Sequence, residues 1–246
     1  NRDDRWVRLR AGAGVGGLAS DDVRVVKPDR QSSVWVGTSN GISVYYNPAA
    51  VLANASPPDA SCPIFNFLCL LEGNDVVDIE VDGANQKWIA TASSGVFLFN
   101  ADGTRQIQHF TSANSPLPSN AILDIAIDHA SGEVFFATAE GIVSYQAVAT
   151  EGSPDNSGIE AFPNPVFLDD FEYVLIRGMA ARSSIRIVSE SGQLVRELAA
   201  QGGQTLWDGR DSRGTTVAPG VYFVLAALET GESPGAFKIA VLKRRE

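Results

Sequence analysis

The sequence predicts an all-β protein, a partial β-propeller of about three blades followed by an immunoglobulin-like β-sandwich. Three observations lead there. One motif recurs three times within residues 1–150, the 151–158 stretch is made almost wholly of turn-forming residues, and short alternating segments fill the remaining 88 residues.

The first copy of the motif runs Asp22-Val-Arg-Val-Val-Lys-Pro-Asp29, Val34-Trp-Val-Gly-Thr38 and Gly41-Ile-Ser-Val-Tyr-Tyr46. The second runs Asp75-Val-Val-Asp-Ile-Glu-Val-Asp82, Lys87-Trp-Ile-Ala-Thr91 and Gly95-Val-Phe-Leu-Phe99. The third runs Ala121-Ile-Leu-Asp-Ile-Ala-Ile-Asp128, Val134-Phe-Phe-Ala-Thr138 and Gly141-Ile-Val-Ser-Tyr145. Gly41, Gly95 and Gly141 are 54 and 46 residues apart, near the roughly 40–50 residues of a four-stranded blade.

Each part of the motif has a physical reading. Val77, Ile79 and Val81 alternate with Asp78 and Glu80, the period of two that a half-buried strand requires. Asp82-Gly83 and Ser131-Gly132 suit tight turns between antiparallel neighbours. Trp35, Trp88 and Phe135 share one register, so the three rings are expected to be largely buried between neighbouring sheets. The glycine that follows allows the backbone to reverse. Further strands are expected at residues 64–68 and 105–110, and Arg5–Leu9 with Trp6 reads as the outer strand of another blade. Because propellers close with about 4–8 blades, three repeats read as the C-terminal part of a longer propeller.

The organisation follows from these segments: propeller blades over 1–150, a linker over 151–158 and a sandwich over 159–246. In the sandwich, strands are expected at 173–177, 184–188, 194–198, 221–228 and 238–242, separated by turns such as Glu190-Ser-Gly192 and Glu229-Thr-Gly231. Several short antiparallel strands in so few residues suit two small packed sheets.

Composition narrows the function. With 44% hydrophobic and 20% charged residues, the chain is that of a folded globular protein. No apolar run approaches the roughly 20 residues of a membrane-spanning helix, so no transmembrane span is expected. Asn1–Arg10 is charged and has no apolar stretch behind it, unlike a signal peptide, so an exported protein would be present here as a mature or truncated form. The net charge is −10, with 18 acids and 9 bases in residues 1–157 (−9) and 11 acids and 10 bases in 158–246 (−1). That balance argues against nucleic acid as a partner.

Cys62 and Cys69 have no Cys or His partners at metal-ligand spacing. They are a candidate disulfide in an oxidising compartment and free thiols otherwise; spacing alone leaves both open. His109 and His129 read as surface residues in an outer strand and a turn. No nucleophile elbow, phosphate-binding loop or HExxH motif occurs, so no catalytic residue and no cofactor are expected. Ala11-Gly-Ala-Gly-Val-Gly-Gly17 is superficially like a dinucleotide loop, but without a following helix it reads as a flexible connection. Asp78, Asp82, Asp124 and Asp128 recur at equivalent positions. They could line a channel and hold a cation, but turn capping through their own backbone is the stronger reading, so no metal is expected. Asp208-Gly-Arg-Asp211 likewise reads as a turn beside the core anchor Trp207, with no full set of alternating calcium ligands.

The repeats, of the form Asp-x-x-Gly/Ala-x-x-Trp-x-x-Thr-x-x-Gly, resemble the regulator-type propeller repeats of Bacteroidetes proteins. The tail segments Ala161-Phe-Pro-Asn-Pro-Val166, Trp207-Asp-Gly-Arg-Asp211, Gly220-Val-Tyr222 and Lys238-Ile-Ala-Val241 resemble the C-terminal sorting domain of type IX secretion cargo. A closer resemblance, to the family of surface components of that secretion system, is carried by Val81-Asp-Gly-Ala-Asn-Gln-Lys-Trp88, Ser94-Gly-Val-Phe-Leu98, Asn114-Ser-Pro-Leu-Pro-Ser-Asn120 and Gly132-Glu-Val-Phe-Phe-Ala-Thr138.

The family resemblance implies two propellers before the sandwich, of which this chain lacks the first and part of the second. It implies a non-catalytic component of the attachment complex, exported through the periplasm to the cell surface and associated with the outer membrane. It also implies partners resembling the sortase PorU and the outer-membrane proteins PorV and PorQ, and a role in binding anionic lipopolysaccharide and presenting it to the sortase. The basic residues of the sandwich that could meet such a glycan are Arg177, Arg182, Arg186, Arg210, Arg213, Lys238 and Lys243, since arginine's planar fork bonds carboxylates and phosphates bidentately. Two other classes fit the same motifs, a secreted propeller enzyme carrying a sorting domain and the periplasmic propeller sensor of a hybrid two-component system.

Overall fold

A computed structural model describes residues 5–54, 56–167, 172–228 and 230–243. The chain divides into two compact units, Asn1–Asp128 with Glu133–Tyr145, and His129–Gly132 with Gln146–Glu246.

In the first unit, β1 (Val23–Pro28), β2 (Val34–Thr38) and β3 (Gly41–Tyr45) form one antiparallel blade. Helix α1 (Ala49–Ala53) and a hairpin of β4 (Ile64–Phe65) and β5 (Leu68–Cys69) follow. Strands β6 (Val76–Val81), β7 (Lys87–Thr91), β8 (Val96–Phe99) and β9 (Gln106–Phe110) form a four-stranded blade. The third blade is β10 (Ile122–Asp128), β11 (Glu133–Thr138) and β12 (Gly141–Gln146). The 64–68 segment is thus a separate hairpin and not a blade strand. The edge of β3 is closed by loop backbone instead, with Val44 and Ser61 exchanging both amide bonds at 2.7 and 2.9 Å.

The Thr-to-Gly element of the motif, with two residues between them in the first and third copies and three in the second, closes its turn with the same bond three times. Thr38, Thr91 and Thr138 each donate their hydroxyl to the carbonyl of Gly41, Gly95 and Gly141, at 2.8–2.9 Å. Each also accepts the backbone N–H of Asn40, Ser94 or Glu140. All three glycines have positive φ. At Gly95 the neighbouring strand also demands the missing side chain, because a Cβ there would lie 2.1 Å from the Phe110 carbonyl oxygen.

The inner strand of every blade carries a bulge at the same place, at Val23/Val25, Val76/Asp78 and Ile122/Asp124. The bulge changes which residues face the core. Val76, Ile79 and Val81 are buried while Val77 is only half-buried, so the simple Val77-Ile79-Val81 alternation does not hold across it.

Trp35 and Trp88 are fully buried, but Phe135 is 36% exposed. All three occupy the expected register, opposite Lys27, Glu80 and Ala126. What differs is the neighbour. Trp35 packs into a cluster with Val76, Ile79, Ile89 and Phe99 of the second blade, and Trp88 lies 5.8 Å from Phe136 and 5.9 Å from Tyr145 of the third. Among the described residues no blade follows to cover Phe135. Residues 5–9 form no strand either, and Trp6 is exposed.

The glycine-rich segment is ordered. Asp59 accepts the N–H groups of Gly14 (2.7 and 2.9 Å) and Gly16 (3.1 Å), and Tyr45 donates its hydroxyl to the Gly16 carbonyl. It is a nest of backbone donors already filled by a carboxylate, not a flexible connection.

In the second unit, β13 (Glu160–Phe162), β15 (Val174–Arg177) and β18 (Gln204–Trp207) form a three-stranded sheet. The other sheet has the order β14-β20-β19-β16-β17, built from β14 (Val166–Phe167), β16 (Ser183–Ser189), β17 (Leu194–Ala199), β19 (Gly220–Leu228) and β20 (Gly235–Leu242). Val174, Ile176, Ile185, Ile187, Trp207, Val224 and Ile239 form the core between the sheets. Burying each such side chain contributes roughly 1.5–3 kcal/mol. The turn expected at 208–211 is present, with the Asp208 and Asp211 carboxylates accepting the N–H groups of Arg210, Arg213 and Thr215.

The 151–158 segment is not a loose connection. Thr150 bridges Gly202 and Ser153 bridges Ala180. The buried Asn156 side chain bonds the Ala180 N–H (2.8 Å), the Ser183 hydroxyl (3.0 Å) and the Ser233 carbonyl (2.7 Å). Its polar residues, which mark a linker by composition, here satisfy buried backbone groups.

Candidate functional site

The five-stranded sheet turns one face to the core and the other to solvent. Strand alternation places Ser184, Arg186 and Val188 of β16, Phe223, Leu225 and Ala227 of β19, and Ala236 and Lys238 of β20 on the outer face. Register aligns them in rows, Arg186 with Leu225 and Ala236, and Val188 with Phe223 and Lys238. An open groove of about 770 Å³ runs along this face, lined by Ser184, Arg186, Leu225, Ala227, Pro234 and Ala236 among others. Its lining is mostly apolar, with Leu225, Ala227, Pro234 and Ala236 beside Ser184 and Arg186. The sequence conceals this. In β19 both the inward and the outward positions are apolar, so the strand reads as one continuous hydrophobic run.

The seven basic residues do not converge on one surface. Arg186 and Lys238 share the outer face two strands and one residue row apart, roughly 12 Å at strand spacing. Arg182 precedes β16 in a turn with φ 63°, at the groove's end, and Lys243 follows the opposite end of β20. Arg177 belongs to the other sheet, while Arg210 and Arg213 sit in the 208–216 loop, where Arg210 is held by the Gly214 carbonyl at 2.8 Å. Alternation of Ile185 and Ile187 with Arg186 was enough to place that arginine outward; nothing local relates one sheet's cations to the other's.

Local charge differs among these cations. Arg186 pairs with Glu197 at 3.0 Å and Arg177 with Glu160 at 2.6 Å, all four side chains being more than half exposed. Such pairs contribute little and are screened by salt, so a ligand anion can compete for either arginine. Lys238 forms no ion pair among the described residues.

A second groove, of about 570 Å³, lies in the same unit and is lined by Ser131, Gln146, Glu151, Ser153, Arg177 and Gln204 among others. With the Glu151 carboxylate on its wall, it is the poorer match to an anion.

The remaining expected positions are structural. Asp82 caps its turn, accepting the N–H groups of Ala84 and Gln86 at 2.9 Å. Asp78 does something else: it accepts the Ile79 N–H at 2.8 Å and, across the seam to the third blade, the Ile125 N–H at 2.9 Å. Burial pushes its carboxyl up, and Asp124 beside it adds to the rise against those two N–H bonds. Cys62 and Cys69 are joined in a disulfide with Cα atoms 5.4 Å apart. Neither histidine is an open surface residue, since His109 stacks on Phe97 at 3.8 Å and donates to the Ser94 carbonyl, while His129 is half-buried. No group of three or more metal-ligating side chains occurs among the described residues, and no helix there is long and apolar enough to cross a membrane.

The fold and the repeated turn together define the class: an all-β chain with propeller blades followed by a β-sandwich. Within that class the chain is PorZ-like. It is similar, at 30% identity and a TM-score of 0.65 over 97% of its length, to PorZ of Porphyromonas gingivalis, described as an essential bacterial surface component of the type IX secretion system. It spans about a third of that protein's length (32%). Looser likenesses are to the extracellular domain of a putative one-component system of B. thetaiotaomicron (11% identity, TM-score 0.38, 92% of this chain and 50% of that one) and to dimeric latent PorU of P. gingivalis (19%, 0.29, 46% and 12%). Scores that low bear on neither function nor mechanism. No protein-family model and no curated sequence matches the chain.

Proposed function

We propose that the protein is a non-catalytic component of a type IX secretion attachment complex, held at the outer-membrane surface. Its sandwich binds anionic lipopolysaccharide and presents it to a PorU-like sortase, alongside PorV- and PorQ-like proteins. The observation that carries the component role is the similarity to PorZ along nearly the whole chain. The glycan role rests on the outer face of the five-stranded sheet, where Arg186 lines an open groove and Lys238 lies one residue row beyond it. This unit holds 13 acids and 10 bases, a net charge of −3. The first unit, Asn1–Asp128 with Glu133–Tyr145, holds 16 acids and 9 bases, a net charge of −7 that would repel a polyanion.

The test is titration of the full-length protein with anionic and with neutral lipopolysaccharide at low and high salt. The proposal expects preference for the anionic form, weakening with salt, and a several-fold loss in Arg186→Ala/Lys238→Ala. Equal affinity for both forms, or no change in the double variant, overturns this site. Arg177→Ala is the control on the other sheet and is expected to leave binding unchanged.

A further inference from the structure

One row of the five-stranded sheet's outer face runs Glu197, Arg186, Leu225, Ala236 across β17, β16, β19 and β20. Glu197 stands on the edge strand, on the side of Arg186 away from Leu225 and Ala236, which line the groove with that arginine. It accepts one hydrogen bond, from Arg186 Nε to its Oε1 at 3.0 Å. Arg24 and Asp75 show the firmer alternative, a two-pronged pair from Nε and Nη2 at 3.2 and 3.3 Å. A single bond between two side chains more than half exposed is a weak hold and open to exchange.

Charge adds to the effect of the bond. Among the described residues, the strands place three charged side chains on this face, Arg186, Lys238 and Glu197. Glu197 therefore lowers the net charge of the face from +2 to +1. It offers Arg186 the same chemical group that an acidic glycan would bring, a carboxylate. Fixed directly opposite in register, it competes as an intramolecular group, at an effective concentration on the order of millimolar that dilution does not remove.

We infer that Glu197 is an intramolecular competitor for the anionic groups of the ligand. Its carboxylate holds Arg186 in the free protein, yields it on binding and recovers it on release, which keeps the face weak enough to pass its glycan on. The inference rests on the reading of this face as the glycan site.

Titration of the full-length protein with anionic lipopolysaccharide tests it, in wild type, Glu197→Gln, Arg186→Ala and Arg186→Ala/Glu197→Gln. Glu197→Gln removes the charge and keeps an oxygen that can accept the Nε bond. It should bind about two- to fivefold more tightly at low salt, the scale of an exposed ion pair. The gain should vanish in about 1 M salt, where the screening length is roughly 3 Å. In the Arg186→Ala background the same substitution should gain clearly less, because no arginine is left to free. Glu160→Gln makes the same charge change on the other sheet and should leave affinity unchanged. Unchanged affinity in Glu197→Gln, a gain that survives high salt, an equal gain without Arg186, or an equal gain in Glu160→Gln overturns the inference. Failure of the glycan reading itself looks different: the wild type then binds anionic and neutral lipopolysaccharide alike, and this inference falls with it.

Discussion

Trp88 donates its indole N–H to the Asp82 carboxylate at 3.2 Å, six residues back along the chain, and both side chains are buried. Asp29 and Trp35 repeat the bond at 3.1 Å in the preceding blade. In each case the same carboxylate also accepts two backbone N–H groups of its turn, from Gln31 and Ser33 or from Ala84 and Gln86. The Asp-to-Trp spacing therefore ties the turn to the ring that fills the gap between blades.

Asp82→Ala should lower the stability of the first unit by about 2–4 kcal/mol, since it orphans a buried indole N–H and two turn amides. Denaturant unfolding checks this. Asp82→Asn, which retains an acceptor oxygen, should cost clearly less, and equal losses would show that the bonds themselves do not matter.

Lys87 is fully buried, 3.3 Å from Asp29 of the neighbouring blade and 4.7 Å from the Trp35 ring centre. Burial pushes its ammonium down, with Asp29 opposing. Burial also works against Asp29, but the Gln31 and Ser33 N–H groups and the Lys87 charge hold that carboxyl below its usual value. Lys87→Met should cost about 3–5 kcal/mol by stranding the Asp29 charge. Adding Asp29→Asn should recover part of it, so the double variant loses less than the sum. A double-mutant cycle measures the difference.

The rise at Asp78 sets a pH dependence of definite sign. A carboxyl raised in the folded state binds more protons there than in the unfolded chain. Stability therefore falls as pH climbs from the unfolded value, about 3.9, through the folded one. Asp78→Asn should flatten the stability–pH curve in that window. An equally steep curve in the variant would assign the effect to other groups.

Gly95→Ala should destabilise more than Gly141→Ala. Both have positive φ, but an added Cβ meets the Phe110 carbonyl at Gly95 and nothing within 4 Å at Gly141. Thermal melts of the two variants compare them directly.

Reducing Cys62–Cys69 should lower stability by about 2 kcal/mol, the scale expected for a loop of this length. Cys62→Ser/Cys69→Ser should match the reduced protein and show no further response to reductant, which paired melts will report.

What the sequence by itself determined is what rests on short-range chemistry. The Thr and Gly of each repeat build their turn from bonds within four residues, Asp82 caps a turn of its own, and alternation separates Ile185 and Ile187 from Arg186. These could be read without any knowledge of neighbours. Tertiary structure decided everything that depends on which surface comes next. Phe135 has the register of Trp88 but is covered by no blade among the described residues, and it is 36% exposed. Val76 replaces Val77 in the core because a bulge shifts the alternation, and the polar 151–158 segment is ordered by partners up to 77 residues away, such as Asn156 with Ser233. The basic residues of the sandwich are divided between its sheets for the same reason. Composition counts charges, but only the pairing of β16, β19 and β20 sets Arg186 and Lys238 on one face.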